Sequence, residues 1–137
     1  MYELVLKTHF AAAHNLREYH GNCERLHGHN WHIEARLAGA KLNRLGMLID
    51  FRDAKRILKE VSGKLDHYYL NELPPFRKAN PTTENIARFI FDELAKRLPK
   101  GVRPASTRIQ PKPRARSSSV QSSVSGSILC FFKCPPY

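Results

Sequence analysis

From Tyr2 to Ala13, and again from about His27 to Ala38, apolar and polar side chains alternate with period two. That pattern restricts both stretches to half-buried β-strands. Leu4, Leu6 and Phe10 share one face of the first stretch, and His14 continues their parity. The second puts Trp31, Ile33, Ala35 and Leu37 on its apolar face, with His32, Glu34 and Arg36 opposite. His27 and His29 carry the apolar parity. If the strands pair antiparallel without a bulge, His14, His27 and His29 meet at one end of the buried side. The loop from Asn15 to Leu26 then carries Cys23 over them.

Three imidazoles in one place suggest a metal. Neutral imidazole is a standard zinc ligand, and three of them leave one tetrahedral position for water or substrate. A thiol beside such a site can lose its proton near neutral pH and act as a base. His-x-His alone is weak support, since strand histidines are more often solvated or hydrogen-bonded in a core. The shared parity of His14, the position of Cys23 four residues before His27, and a further Asp66-His67 pair favour the metal reading. His9, His20 and His32 lack this coincidence and read as ordinary strand or surface residues.

Two helices follow from apolar spacing. Phe51, Ala54, Ile57, Leu58, Val61 and Leu65 form a helical stripe, with Asp50 placed to cap it and Asp53 in its first turn. A second helix runs from about Thr82 to Leu98, with Ile86, Ala87, Ile90, Phe91, Leu94 and Leu98 inward. Asn80-Pro81-Thr82 starts it, and Pro99 with Gly101 stops it. Both stripes read simply as core. Asp66-His67 follows the first helix, where a carboxylate can orient an imidazole and raise its basicity for proton relay.

Phe10-Ala-Ala-Ala-His14, Cys23-x-x-x-His27-Gly-His29, Gly46-Met-Leu-Ile-Asp-Phe51, Leu65-Asp-His-x-x-Leu-Asn71 and Asn80-Pro-Thr-Thr-Glu-Asn85 carry a specific likeness. Through them residues 1 to about 103 resemble the family of 6-pyruvoyl-tetrahydropterin and 6-carboxytetrahydropterin synthases. The resemblance implies an α+β tunnelling fold, in which an antiparallel sheet carries a helix pair between two hairpins. It also implies a homo-oligomer, a trimer or hexamer, in which subunits join into a barrel. It further implies zinc on His14, His27 and His29, and proton transfer by Cys23, Asp66 and His67. Thr82, Thr83 and Glu84 read by themselves as a helix N-terminus; by resemblance this turn touches the pterin ring.

Charge divides the chain unevenly. Residues 1–93 carry 14 basic and 12 acidic side chains, and residues 94–137 carry nine basic and no acidic ones. The nearly neutral first part gives no nucleic-acid signal, and the basic tail lacks the interleaved aromatics that stack bases. The family pattern expects two more strands after Val102 and a pterin-anchoring Glu, but no carboxylate side chain follows Glu93. Prolines at 104, 111 and 113 disfavour interior strands there. The expectation is therefore a domain over 1–103 and a disordered Ser/Pro/Arg-rich tail over 104–137, with the C-terminal hairpin altered or missing and a sheet edge left bare. Ile128 to Phe132 is a short run that could patch that edge. Three cysteines argue against a disulfide framework, and no run is apolar enough to be a signal peptide or to span a membrane. A reduced, cytoplasmic protein is expected.

The three residues between Cys23 and His27 resemble the 6-carboxytetrahydropterin synthases of the queuosine pathway, whose substrate is 7,8-dihydroneopterin triphosphate. Glu24 complicates this, because related enzymes of folate synthesis use a Glu near that position. The alternatives are a folate-directed or pyruvoyl-forming activity, or an inactive zinc-binding pseudoenzyme.

Overall fold

The structure, a computed structural model, describes residues 1–112 and, for the backbone alone, 122–125 and 128–129. Five strands form one antiparallel sheet in the order β1 (Tyr2–His14), β2 (His27–Gly39), β3 (Val102–Pro111), β4 (Ser122–Ser125) and β5 (Ile128–Leu129). Between β2 and β3 run two helices, α1 (Phe51–Gly63) and α2 (Thr83–Arg97). This is the expected α+β arrangement, with each helix within two residues of its expected span.

The helices begin where the sequence places caps. The Asp50 carboxylate accepts from Arg52 N–H at 2.8 Å, and Thr82 Oγ1 accepts from Asn85 N–H at 3.2 Å. Each satisfies an amide that has no partner within the helix. At the far end of α2, Gly101 takes φ +89°, a conformation that suits glycine, and turns the chain into β3.

One face of the sheet and the apolar faces of both helices make the core. Leu6, Phe10, Trp31, Ile33, Ala35, Leu37 and Ile109 meet Ala54, Leu58, Val61, Ile86, Ile90 and Leu94, all 2 % exposed or less. Each large apolar side chain so buried contributes about 1.5–3 kcal/mol relative to exposure. Outside the core, three cations, Lys64, Lys96 and Arg97, close on the Glu93 carboxylate at 2.6, 2.9 and 2.8 Å.

The β1–β2 ladder runs unbroken from Tyr2 opposite Gly39 to His14 opposite His27. The other edge of β1 is covered by the chain after α1. Ala11 N–H donates to Asp66 Oδ1 at 2.9 Å, His67 N–H to Ala11 C=O at 2.6 Å, and Ala13 N–H to Tyr68 C=O at 3.1 Å.

β3 corrects the expectation for residues 104–112. Its prolines do not exclude a strand, because neither interrupts a regular ladder. Pro104 stands opposite Leu37 just beyond a bulge, where Ala105 is the extra residue between the Leu37–Pro104 and Arg36–Ser106 pairs. Pro111 is the last residue of the strand. Bulges and strand ends are where a missing amide hydrogen is tolerated. The bare edge is also corrected in part: β4 pairs with Ser106 to Ile109, and Ile128–Leu129 pairs with β4. The remainder of the expected tail, with Cys130 and Cys134, lies outside the described residues. No helix among the described residues is long and apolar enough to cross a membrane.

Candidate metal centre and its cavity

Strand register makes the centre. His14 sits directly opposite His27, and Ala12 opposite His29, so the three rings gather at one end of the buried face. A ring nitrogen from each lies within 4.8 Å of the others. Beneath them, the Trp31 indole lies edge-on to His14 and His29, with ring centroids 5.1 Å from each, and stacks on Phe10.

Backbone carbonyls fix two of the tautomers. His14 Nδ1–H donates to Pro81 C=O at 2.8 Å, and His27 Nδ1–H donates to Arg25 C=O at 2.7 Å. A carbonyl only accepts, so in the neutral rings both Nε2 atoms carry lone pairs. Those atoms are 3.1 Å apart. Two acceptors so close repel unless a proton or cation lies between them. Nitrogens around one tetrahedral zinc ion, each about 2.0–2.1 Å from it, stand about 3.3 Å apart. The donor set therefore fits a divalent metal. Burial holds His14 neutral: desolvation lowers its pKa from 6.5 to about 4, the Pro81 hydrogen bond opposes that, and the nearby His27 adds to it.

Cys23 lies 2 % exposed in a short 3-10 turn, Asn22–Glu24, and its C=O accepts from Leu16 N–H at 2.8 Å. It shares a cavity of about 270 Å³ with His14, Arg17, Thr82, Thr83 and Glu84. The loop thus brings Cys23 and the start of α2 to the same hollow. Thiolate chemistry at Cys23 requires the reduced thiol. Glu24 is exposed and is not part of that cavity wall.

Asp66 and His67 stand elsewhere. His67 borders a separate, open depression with His29 and Tyr69, and its side chain is 82 % exposed. It adopts φ 61°, unusual for a residue with a side chain, because its backbone is tied to Ala11. Asp66 Oδ2 accepts from His67 Nδ1–H at 3.0 Å, which leaves His67 Nε2 as the outward lone pair. The Ala11 amide, and after it the His67 bond, lowers the Asp66 pKa. One chain therefore brings Cys23, His14 and the 82–84 turn together but leaves the Asp66–His67 pair outside that cavity.

Several residues that shape the site have no chemical signature in sequence. The carbonyls of Arg25 and Pro81 act through the backbone, which any residue supplies. Asn71 and Asn80 bind loop backbone, and the visible signal at Asn80, Asn-Pro before a helix, marks only a helix start.

Residues 3–119 match the family described as 6-pyruvoyl tetrahydropterin synthase. A putative 6-carboxy-5,6,7,8-tetrahydropterin synthase from Archaeoglobus fulgidus is 44% identical over 92 residues, 67% of this chain and 75% of that protein. A dihydroneopterin monophosphate aldolase from Pyrococcus furiosus is 34% identical over 102 residues, 73% of this chain and 81% of that one. In structure, the 6-pyruvoyl tetrahydropterin synthase of Caenorhabditis elegans superposes with a TM-score of 0.75 at 23% identity, covering 92% of this chain and 96% of that one. The fold is thus the one the motifs imply. With the family match spanning most of its length, the chain belongs to the 6-pyruvoyl tetrahydropterin synthase family and is an enzyme of pterin metabolism.

Proposed function

We propose that this chain is a zinc-dependent 6-carboxytetrahydropterin synthase, a lyase converting 7,8-dihydroneopterin triphosphate to 6-carboxytetrahydropterin, acetaldehyde and triphosphate in queuosine biosynthesis. The observation that carries this reading is the pair of opposed Nε2 lone pairs on His14 and His27, with His14 lining the cavity that holds Cys23. The Cys23–His27 spacing and the name of the Archaeoglobus relative support the carboxy-forming product.

His14, His27 and His29 would hold zinc, which supplies Lewis acidity toward the substrate's side-chain hydroxyls. Thr82, Thr83 and Glu84 form the wall on which the pterin ring rests, with Glu84 the carboxylate available to its aminopyrimidine edge. Reduced Cys23 removes a side-chain proton. His67, oriented by Asp66, returns one from its outward Nε2 when the ring carries a second proton there as an imidazolium. Because that pair faces out of the Cys23 cavity, we assign the working enzyme as a homo-oligomer, a trimer or hexamer, in which the pair serves a neighbouring subunit's cavity.

A second reading has one observation in its favour. Glu24 beside Cys23 favours a folate-directed activity with a hydroxymethyl product, and the likeness to the Pyrococcus dihydroneopterin monophosphate aldolase supports an aldolase-type cleavage. The zinc-loaded, reduced protein given 7,8-dihydroneopterin triphosphate decides between them by product mass. 6-Carboxytetrahydropterin with acetaldehyde supports the first reading. A hydroxymethyl-dihydropterin moves the chain to the second, and a pyruvoyl product moves it to biopterin chemistry. No product from the triphosphate or from 7,8-dihydroneopterin monophosphate, with one zinc per chain, makes it a zinc-binding pseudoenzyme.

A further inference from the structure

After β1 the backbone is held by side chains acting as a neighbouring strand would. Asn15 N–H donates to Asn71 Oδ1 at 3.0 Å, and Asn71 Nδ2 donates to Asn15 C=O at 2.9 Å. Two residues on, Arg17 N–H donates to Asn80 Oδ1 at 2.9 Å, and Asn80 Nδ2 donates to Arg17 C=O at 3.0 Å. Leu16, between them, is held by the carbonyl of Cys23. The two amide clasps look alike but differ in what lies behind them. Asn71 belongs to the turn after α1. Asn80 belongs to the turn that walls the cavity: its C=O accepts from Thr82 N–H and from Asn85 Nδ2, both at 2.8 Å. The next carbonyl, Pro81, accepts the Nδ1–H of His14. His14, Pro81, Asn80 and Arg17 thus close a ring of bonds joining the end of β1 to the start of α2.

We propose that Asn80 is a positioning residue that couples a metal on His14 to the geometry of the Pro81–Glu84 wall. The proposal rests on reading the three histidines as a metal site. A cation on His14 Nε2 makes Nδ1–H a stronger donor, which draws on the Pro81 carbonyl, and Asn80 fixes where that carbonyl stands. Coupling of this kind is reciprocal, so a pterin that orders the wall also tightens the metal. A residue that merely stapled the loop would affect stability and leave the metal alone.

Zinc affinity, read by competition with a chromogenic chelator on the full chain, distinguishes these. Asn80→Ala is expected to weaken zinc by about tenfold or more, the cost typical of losing an outer hydrogen-bonding partner, and Asn71→Ala by less than about threefold. Both are expected to lower the melting temperature. In the unmodified chain, zinc is expected to slow hydrogen exchange at the amides of Arg17, Thr82 and Asn85, a measurement that stands even if Asn80→Ala does not fold. A folded Asn80→Ala protein binding zinc within threefold of the parent overturns the coupling, as does equal weakening by Asn71→Ala. Unchanged exchange at those amides overturns it too. A parent chain that binds no zinc removes the metal reading itself, a failure seen before any variant is made.

Discussion

The Nε2 atoms of His14 and His27 face one another at 3.1 Å while each ring gives its Nδ1–H to a backbone carbonyl. Strand register sets the first distance and chain turns set the other two. With His27 as a proposed ligand, His27→Ala should weaken zinc by more than the roughly 10–100-fold that loss of an outer partner costs. Zinc content after dialysis checks this; stoichiometric zinc in the variant would exclude His27 as a ligand.

Trp31 is the chain's single tryptophan and lies edge-on to two of the three histidines. Its fluorescence should therefore change in step with zinc titration and revert with chelator. Replacing it by Ala should cost about 3–5 kcal/mol of stability, the usual penalty for removing a large buried aromatic. Denaturant unfolding measures that, and an emission spectrum insensitive to zinc would place the metal elsewhere.

Cys23 and Asp66 should separate chemistry from metal binding. Cys23→Ala is expected to abolish turnover with zinc retained. Asp66→Asn keeps an acceptor for the Ala11 amide but loses the charge that orients His67. Its kcat is expected to fall roughly 10²–10⁴-fold, the range for general acid–base groups. Loss of zinc with unchanged turnover in either variant would contradict the assigned roles.

Glu93 should dominate one part of the acid stability. Its three cationic neighbours pull its pKa from 4.5 to about 2, with the Lys64 hydrogen bond first, then Lys96 and Arg97. A carboxylate with a lowered folded-state pKa contributes stability that is full above its unfolded value and is lost as pH falls through the folded one. The window is therefore about pH 4.5 to 2. Allowing for screening of the partly exposed cations, the contribution is about 1–2 kcal/mol. Glu93→Gln should lose that amount at pH 7 and show a flatter acid limb; parallel curves for parent and variant between pH 4.5 and 2 would rule this out.

The centre was readable from sequence because it depends on parity. In a straight antiparallel pair, the alternation of Leu6, Phe10 and His14 against His27, His29 and Trp31 admits one arrangement of faces. β3 was not readable for the converse reason. Pro104, Thr107 and Ile109 are all buried, yet they do not share a parity, because the bulge at Ala105 shifts the phase between them. An alternation that changes phase within ten residues resembles no alternation. The Asn80 ring was hidden differently, since its bonds join side chains to backbone groups far away in sequence, and two of its four members are ordinary loop residues until folded.

The bulge also sets which length changes the sheet can absorb. Deleting a residue from the middle of a strand normally turns every later side chain to the opposite face, and loss of Ala35 from β2 would do this to its neighbours on one side. Loss of Ala105 would not. It would bring Pro104 beside Ser106 in the ladder opposite Leu37 and Arg36, with each side chain keeping its present face. A relative one residue shorter at this point, with a residue other than proline in the place of Pro104, could therefore carry the same sheet, and an alignment that opened a gap inside β3 would be structurally sound.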